Sequence, residues 1–510
     1  MFRKIKLLIA TTMVIFTLCN ASSAKAAPVV TDEKNKFIQE MVTKEFEWYK
    51  TFAEMAGYKI KINGDICSKN DEDFYSVIIP DVSITVQNTN KILHIGNIAI
   101  NLAQRNNEVW DAKIAVPNLI TLNDVKDKIE SNIKLGSQEF DLSWVPNKKL
   151  YPQIKATFGD IKVSSPKNKA VVMSIKEVDI HSFLNPNNTK NWVGISKSNT
   201  WKGQTSFGFK NVSVVLDKNF TIDIDNIRNT TYFKQINPFR IASNRMKIEN
   251  DIVGEGDSLK KSDPTMLKRF SQLLPTDKES VNGFDISGVH IRKILHKDKK
   301  ETDSIKLNIA AIDNTFVGIK DGLFNLRGNL KFQGFEMTGF VREYARLFPE
   351  QGAMAFDARN IPLMSLNKVL VDNISTIMDK NSKAIFNKTG PKLTSLLKET
   401  KSYLYVRKSH FQNKDTNIRV SGSFTASPTA AYGLTANTNI AFDGLDDPQK
   451  SFSVFGDKPN IDMKTLAYAI NMAAIATSKS PVGDGTIDTY KVKIYENGEV
   501  EVNGRGFHSN

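Results

Sequence analysis

The chain has 510 residues and a formal net charge of +14 at pH 7. That length supports two or three domains with a core large enough to dispense with cross-links. Lysines and aspartates are mixed along it with no basic run interleaved with aromatics, which argues for a solvated polar face and against a nucleic-acid partner, while attraction to an anionic membrane surface or glycan stays open.

Residues 1–26 read as a secretory signal peptide. Arg3, Lys4 and Lys6 precede an apolar run from Leu7 to Leu18, and Ala24-Lys25-Ala26 supplies an A-x-A cleavage site. Removing it leaves a charge of +10 and an exported protein, periplasmic first and secreted as the alternative. Leu18 before Cys19 is too large for lipoprotein processing. Cys67 is then the only thiol, so no internal disulfide forms, and the side chain is expected to be a small buried one. No later stretch has the roughly 18 uninterrupted apolar residues of a membrane-spanning helix.

Segment 27–57 carries one helix, with Phe37, Met41, Val42, Phe46, Tyr49, Phe52, Met55 and Ala56 at spacings of three and four and Gly57 as its stop. This aromatic stripe is expected to pack on a sheet. Region 58–235 is a first β-rich region of short alternating runs punctuated by Asn, Lys, Asp and Gly. Segment 236–282 connects, with a short helix from Pro264 to Leu274, and 283–340 is a second β-rich region. Segment 341–400 reads as helical, with Leu363, Leu366, Leu370, Ile374 and Ile377 on one face. Region 401–510 returns to strands, with a helix over 463–475 and a terminal hairpin whose Asn497-Gly498 predicts a two-residue type I′ turn.

Inside the strands the apolar parity slips repeatedly. Leu93 and Ile95 give way to Ile98 and Ile100, Met173 and Ile175 to Val178 and Ile180, Ile224 to Ile227, and Leu307 and Ile309 to Ile312. A period of two cannot change parity without an extra residue, so each slip predicts a β-bulge with apolar side chains on both sides of it facing one core. Each is preceded by an Asp/Asn/Gly-Val/Ile pair that reads as the opening of another run: Asp81-Val82, Asp160-Ile161, Asn211-Val212 and Gly288-Val289. The expected fold is α+β and β-dominated: repeated bulged antiparallel hairpins form long twisted sheets with amphipathic helices packed on them.

Nothing in the sequence specifies a reaction. Ser395-x-x-Lys398 beside Lys388-Thr389-Gly390 has the elements of a penicillin-binding enzyme in the wrong order and spacing. Gly254–Ser258 lacks the G-K-[ST] of a phosphate loop, and Asp223 with Asp225 lacks the oxygen cage of a cation site. The six histidines have no paired-ligand spacing. The tryptophans Trp48, Trp110, Trp144, Trp192 and Trp201 share no period, as core residues would, with glycan stacking as the alternative. No catalytic, cofactor-binding or metal-binding residue is therefore assigned.

The leading helix, the hairpins at Asp81–Leu102, Asp160–Ile180, Asn211–Asn229 and Gly288–Asn314, and the closing Tyr490–Gly504 together resemble bacterial envelope proteins of the AsmA-like and YdgA-like kinds. That resemblance covers about a quarter of the chain. It implies a periplasmic protein with a groove-like β-sheet and a role in lipid handling or envelope integrity. The cleavable signal departs from the retained anchor of AsmA-like members. The expectation is a non-enzymatic envelope protein with lipid or a membrane surface as partner and no cofactor; an exported interaction module is the alternative, and a hydrolase is third.

Overall fold

Short alternating runs commit most of the described residues to strands, and the computed structural model of the chain is strand-dominated. The structure describes residues 31–255 and 279–507 apart from 56–57, 72, 87–90, 106–107, 125–127, 166–170, 187–200, 218–219, 295–301, 319–322, 340–347, 363–364, 367–391, 415–416, 428–432, 444–487 and 498. The signal peptide 1–26, the helices expected at Pro264–Leu274 and 463–475, and most of the face from Leu363 to Ile377 lie outside the described residues. The chain divides into two units, Met1–Lys278 and Glu279–Asn510.

In the first unit, helix α1 (Asp32–Met55) precedes strands β1 (Tyr58–Lys61), β2 (Cys67–Asn70), β3 (Tyr75–Val86), β4 (Lys91–Gln104), β5 (Trp110–Ala115), β6 (Leu119–Asp124), β7 (Ile129–Lys134), β8 (Ser137–Val145), β9 (Leu150–Ser164), β10 (Val171–Pro186), β11 (Trp201–Asp217) and β12 (Phe220–Ile236). Helix α2 (Pro238–Glu255) follows. Every pairing is antiparallel. Short consecutive strands serve as halves of one long strand: β1 and β2 both pair with β3, β5 and β6 with β4, and β7 and β8 with β9. From β9 the sheet continues through β10 and β11 to β12.

Three of the four parity slips, those on β10, β12 and β14, have one cause. On β9 and β10, Ile161 pairs with Ile175 and Gly159 with Glu177, while Asp160 and Lys176 between them are out of the ladder. One extra residue on each of two facing strands keeps the register but reverses the face of everything that follows. Ile175 and Val178, three positions apart, are therefore both buried, as are Phe158 and Ile161 on the facing strand. The same happens at Asn211 and Asp225, between the pairs Val212–Ile224 and Lys210–Asn226.

The left-handed partner in each case is short and polar or glycine: φ is +40° at Asp81, +49° at Asp160, +48° at Asn211 and +63° at Gly288. A Cβ crowds the following carbonyl oxygen there; Gly has none, and Asn and Asp offset the cost with local hydrogen bonds from a short polar side chain. These are the residues expected to open new runs; the structure places them in mid-strand instead. Side chains link the kinks crosswise: Asn63 Nδ2 donates to Asp81 Oδ2 at 3.0 Å, the Asp81 N–H to Asn97 Oδ1 at 2.9 Å, and Lys176 Nζ to Asp160 Oδ1 at 2.7 Å.

Helix α1 lies on the apolar face so produced. Thr31 caps it, its Oγ1 accepting from the Lys34 N–H at 3.3 Å, and Ile38, Val42, Phe46 and Ala53 join Val77, Ile84, Leu93 and Ile98 in the core. Two expectations are corrected here. Phe37 is 49% exposed, because Ile38, one position on, starts the buried stripe. Cys67 is exposed, because Ile66 takes the core position and the next residue of a strand must point away. Helix α2 was not foreseen in segment 236–282, although Asn237 and Pro238 are a cap and first-turn pair; the Arg240 N–H donates to Asn237 Oδ1 at 3.1 Å.

In the second unit, β13 (Glu279–Ile294), β14 (Thr302–Gly318), β15 (Phe324–Gln333), β16 (Glu336–Thr338), β17 (Gln351–Ile361), β18 (Tyr403–Gln412), β19 (Asn417–Ala426), β20 (Leu434–Asp443), β21 (Asp488–Ile494), β22 (Val500–Val502) and β23 (Arg505–Phe507) form an antiparallel meander. Strand β16 completes β15 along β14. Strand β17 corrects the helical reading of 341–400: Met354, Phe356 and Ala358 alternate across it at period two. A helix does occupy 392–399.

The slip on β14 lies before Ile309 and not after it, at Asn308 opposite Gly288, so Ile309 joins the polar face and is 37% exposed. The terminal hairpin forms as expected, but the Tyr495 N–H donates to Glu499 O, so three residues and not two make its turn. The type I′ geometry belongs to the next Asn-Gly, with φ +51° at Asn503 and +83° at Gly504 between the paired Val502 and Arg505.

Replacing Ile175 or Val178 with Asp will each cost about 3 kcal/mol or more in urea unfolding, since each strands a carboxylate in the same core. Asn211→Val will cost about 1–2 kcal/mol and Asn211→Gly close to nothing, as the left-handed backbone requires. Equal midpoints for the Val and Gly variants would contradict the assignment.

Candidate functional site

Two features, one in each unit, bear on the functional reading. The first is under α1. Glu45 and Arg245 are both buried, and Arg245 Nη2 donates to Glu45 Oε1 at 2.7 Å while its Nε donates to Glu249 Oε1 at 2.8 Å. Lys149 Nζ lies 3.5 Å from Glu45 Oε2 and 3.6 Å from Glu249 Oε2, so two carboxylates meet two cations. The Tyr151 hydroxyl donates to Glu45 Oε1. The Arg245 guanidinium lies 5.0 Å from the Trp48 ring centre and 5.8 Å from that of Tyr49, and Trp144 stacks on Tyr151 at 6.4 Å. α1, α2 and β9 are joined by this cluster.

Burial, followed by the charge of Glu45, pushes the Tyr49 phenol far above its usual value. Tyr151 is raised in the same way, by burial and then by Tyr49 and Glu45. Burial opposes the charge on Arg245, but Glu45 and the two tyrosines outweigh it and hold the guanidinium protonated. The cavity beside this cluster, reached by Val42, Phe46, Ile100 and Leu142, measures ≈ 60 Å³. That is room for about four waters at roughly 15 Å³ each and far too little for an acyl chain. The cluster is a polar joint inside a core filled by side chains.

The second feature is a face of the second unit's sheet. Cross-strand partners line up in apolar rows. One runs Ile286, Ala310, Phe332, Gly352, Phe411, Ile418, and another Phe316, Leu326, Ala358, Leu404, Phe424, Ala436. Between the rows lie Leu330, Met354 and Phe356. Gly352 is required: a Cβ there would sit 2.5 Å from Phe411 and 2.7 Å from Phe332, whose rings stack at 6.3 Å. Apart from Ala358, Ala436 and Gly352, the side chains of the two rows are only half-buried. The alternate positions carry Arg327, Asn329, Lys331, Arg419, Asn437 and Asn439.

The residues singled out for chemistry do not converge. Ser395 and Lys398 share the helix 392–399, and Lys398 Nζ lies 3.4 Å from Glu496 Oε1. Cys67 is on a strand far from them in sequence and exposed. Asp223 accepts from Ser213 Oγ at 2.6 Å across the hairpin, and Asp225 is exposed. Among the described residues no three His, Cys, Asp or Glu side chains group as metal ligands. Trp48, Trp110, Trp144 and Trp201 are all buried, and Trp192 lies outside the described residues. Nothing in the local sequence marks Arg245 as buried; Glu45 is an acid on the apolar stripe of α1, and that position is the signal of an ion pair.

Arg245→Met will cost about 3–5 kcal/mol, because it leaves Glu45 buried without its strongest partner. In alkali, the unfolded tyrosines ionise near pH 10 while Tyr49 and Tyr151 hold their protons. The unfolded state then binds fewer protons, so stability falls as pH rises above about 10. Tyrosinate absorbance should show these two rings titrating only as circular dichroism reports unfolding; their titration with the exposed tyrosines would contradict the buried cluster.

No protein family, curated protein or solved structure matches this chain, so the geometry of its own residues carries the functional reading.

Proposed function

We propose that the chain is a non-enzymatic protein of the bacterial envelope that holds acyl chains on the apolar face of its second unit. The observation that carries this is the contrast between the face that α1 covers and the second unit's sheet. Beneath α1 the apolar side chains reach near-complete burial, with Ile38, Ile60, Val77 and Leu93 at 2% exposure or less, although Phe209, Ile222 and Ile224 on β11 and β12 are half-buried. The rows through Phe332 and Leu404 instead stay half-buried across β13–β20. Aligned half-buried apolar side chains favour a ligand that supplies surface without demanding hydrogen bonds, and an extended hydrocarbon chain is such a ligand. The AsmA-like resemblance of the hairpins and the signal peptide point the same way. The exported interaction module loses one motive, since the described tryptophans are core residues and have no face free to stack on a sugar.

Protein purified from its native membrane fraction is expected to carry lipid, seen as bound mass in native mass spectrometry and as fatty acid in an organic extract. Phe332→Asp should cut that lipid by about tenfold with far-UV circular dichroism unchanged, because a carboxylate on the apolar face opposes hydrocarbon by several kcal/mol. Asn329→Asp, on the polar face, should leave it unchanged. Apo mass with no fatty acid in the extract would refute the reading, and release into the medium instead of by osmotic shock would move the protein out of the envelope.

A further inference from the structure

The ladder between β18 and β19 is interrupted. Val406 pairs with Gly422 and Phe411 with Ile418, but 407–410 and 419–421 face each other unpaired. The same part of β18 remains paired to β17 through Lys408–Ala355, Ser409–Met354 and His410–Ala353, and 419–421 remain paired to β20, so the opening lies between β18 and β19 alone. Buried Ser409 holds the gap: its hydroxyl donates to Val420 O at 2.8 Å and accepts from the Val420 N–H at 2.9 Å. A side chain that stands in for missing ladder bonds keeps the strands apart at a fixed width.

The opening is a cavity of ≈ 500 Å³ whose lining includes Arg407, Lys408, His410 and Arg419, with Ser421 and Asn439 between them and no acidic side chain. Arg407 is on the bulge, where it and Lys408 stand opposite the single residue Ala355. Asp357 balances Arg407, with Oδ2 3.0 Å from its Nε, and also binds Arg327 at 2.9 Å. Lys408 and Arg419 have no carboxylate partner among the described residues, and both are exposed.

Three positive charges, two of them guanidinium forks, converge with an imidazole, a hydroxyl and a carboxamide on one concave space. Guanidinium and ammonium groups so placed match the several oxygens of a phosphoryl group better than a single carboxylate. The volume is that of a pocket for a small organic molecule, roughly 300–1,000 Å³, and is too large for a bare ion. We propose that the β18–β19 opening is a binding site for a phosphoryl group borne by a larger molecule, either a soluble phosphate ester or the headgroup of an anionic lipid. The site stands on its own residues and does not require the acyl-chain reading.

Isothermal titration with glycerol 3-phosphate and co-flotation with vesicles of pure phosphatidylglycerol, against vesicles of pure phosphatidylcholine, separate the two sources. The full mature chain should bind at least one of the two anionic probes. Lys408→Gln with Arg419→Gln should weaken that binding about tenfold or more, while Lys306→Gln, an exposed lysine outside the cavity, should change it less than about twofold. Both target side chains are exposed, and unchanged far-UV circular dichroism will confirm the fold; Lys408→Arg, which keeps the charge, should retain binding. Titration heat alone identifies a soluble ester, and flotation alone a lipid headgroup. Binding of neither anionic probe, or binding that the double variant leaves intact, would overturn the proposal.

Discussion

The structure depends on where its strands carry one residue too many. An alternating strand longer than about eight residues can present a single apolar face only while its twist stays compatible with what covers it, and long strands accumulate twist. Here β9–β10, β11–β12 and β13–β14 each take up an extra residue on both arms at facing positions, as at Asp160 with Lys176 and Asn211 with Asp225, while β3–β4 shifts twice around the single pair Val82–Gly96. Because both strands gain one, the register survives. Because each gains only one, parity reverses, and Phe158 and Ile161, or Ile175 and Val178, share a core despite a spacing of three. The backbone cost is concentrated in Asp81, Asp160, Asn211 and Gly288, residue types that adopt the left-handed conformation with least strain.

Coverage of the apolar faces differs between the part of the first unit under α1 and the second unit. In the first, the kinked strands bring Val77, Ile84, Leu93 and Ile98 under one helix, and α1 closes the face down to a cavity of ≈ 60 Å³. The ion cluster of Glu45, Arg245, Lys149 and Glu249 then ties α2 to α1 and β9. A buried cluster of this kind contributes little net stability over an apolar one, but breaking it is expensive, which fixes how the helices meet. In the second unit the same strand chemistry leaves half-buried rows, and one ladder, β18 to β19, opens where four basic side chains gather. Apolar capacity and positive charge sit on alternate faces of the same strands.

Much of the fold was legible because period two is a strong signal. The parity slips showed that extra residues existed, and the left-handed positions were visible as Asp81, Asp160, Asn211 and Gly288; only their place, mid-strand instead of at a turn, needed the pairing. What failed was local. Phe37 and Ile38 are adjacent apolar residues, and helical periodicity alone does not say which starts the buried stripe. Gln351–Ile361 is rich in alanine, whose small side chain fits either period, and it was absorbed into a helical segment. The two Asn-Gly pairs at 497–498 and 503–504 are identical dipeptides, and register, not composition, decides which makes the type I′ turn. The candidate sites were hidden for a different reason. Arg407, Lys408, His410 and Arg419 look in sequence like ordinary charges of a solvated strand face, and only the interrupted ladder gives them a cavity.

The paired extra residue is the feature on which the rest stands, and a matched deletion along the whole row tests it most directly. Removing Asp160, Lys176, Asn211 and Asp225 together preserves the β9–β10, β10–β11 and β11–β12 registers while turning Phe158 and Val178 to the face opposite Ile161 and Ile175. Four core side chains are then split between two faces, and roughly 1.5–3 kcal/mol of burial is lost for each one displaced. The account predicts that urea unfolding of the deleted chain loses its cooperative transition or moves to a far lower denaturant concentration. A wild-type midpoint and slope would show that parity across the kink is irrelevant to the core and would contradict the account.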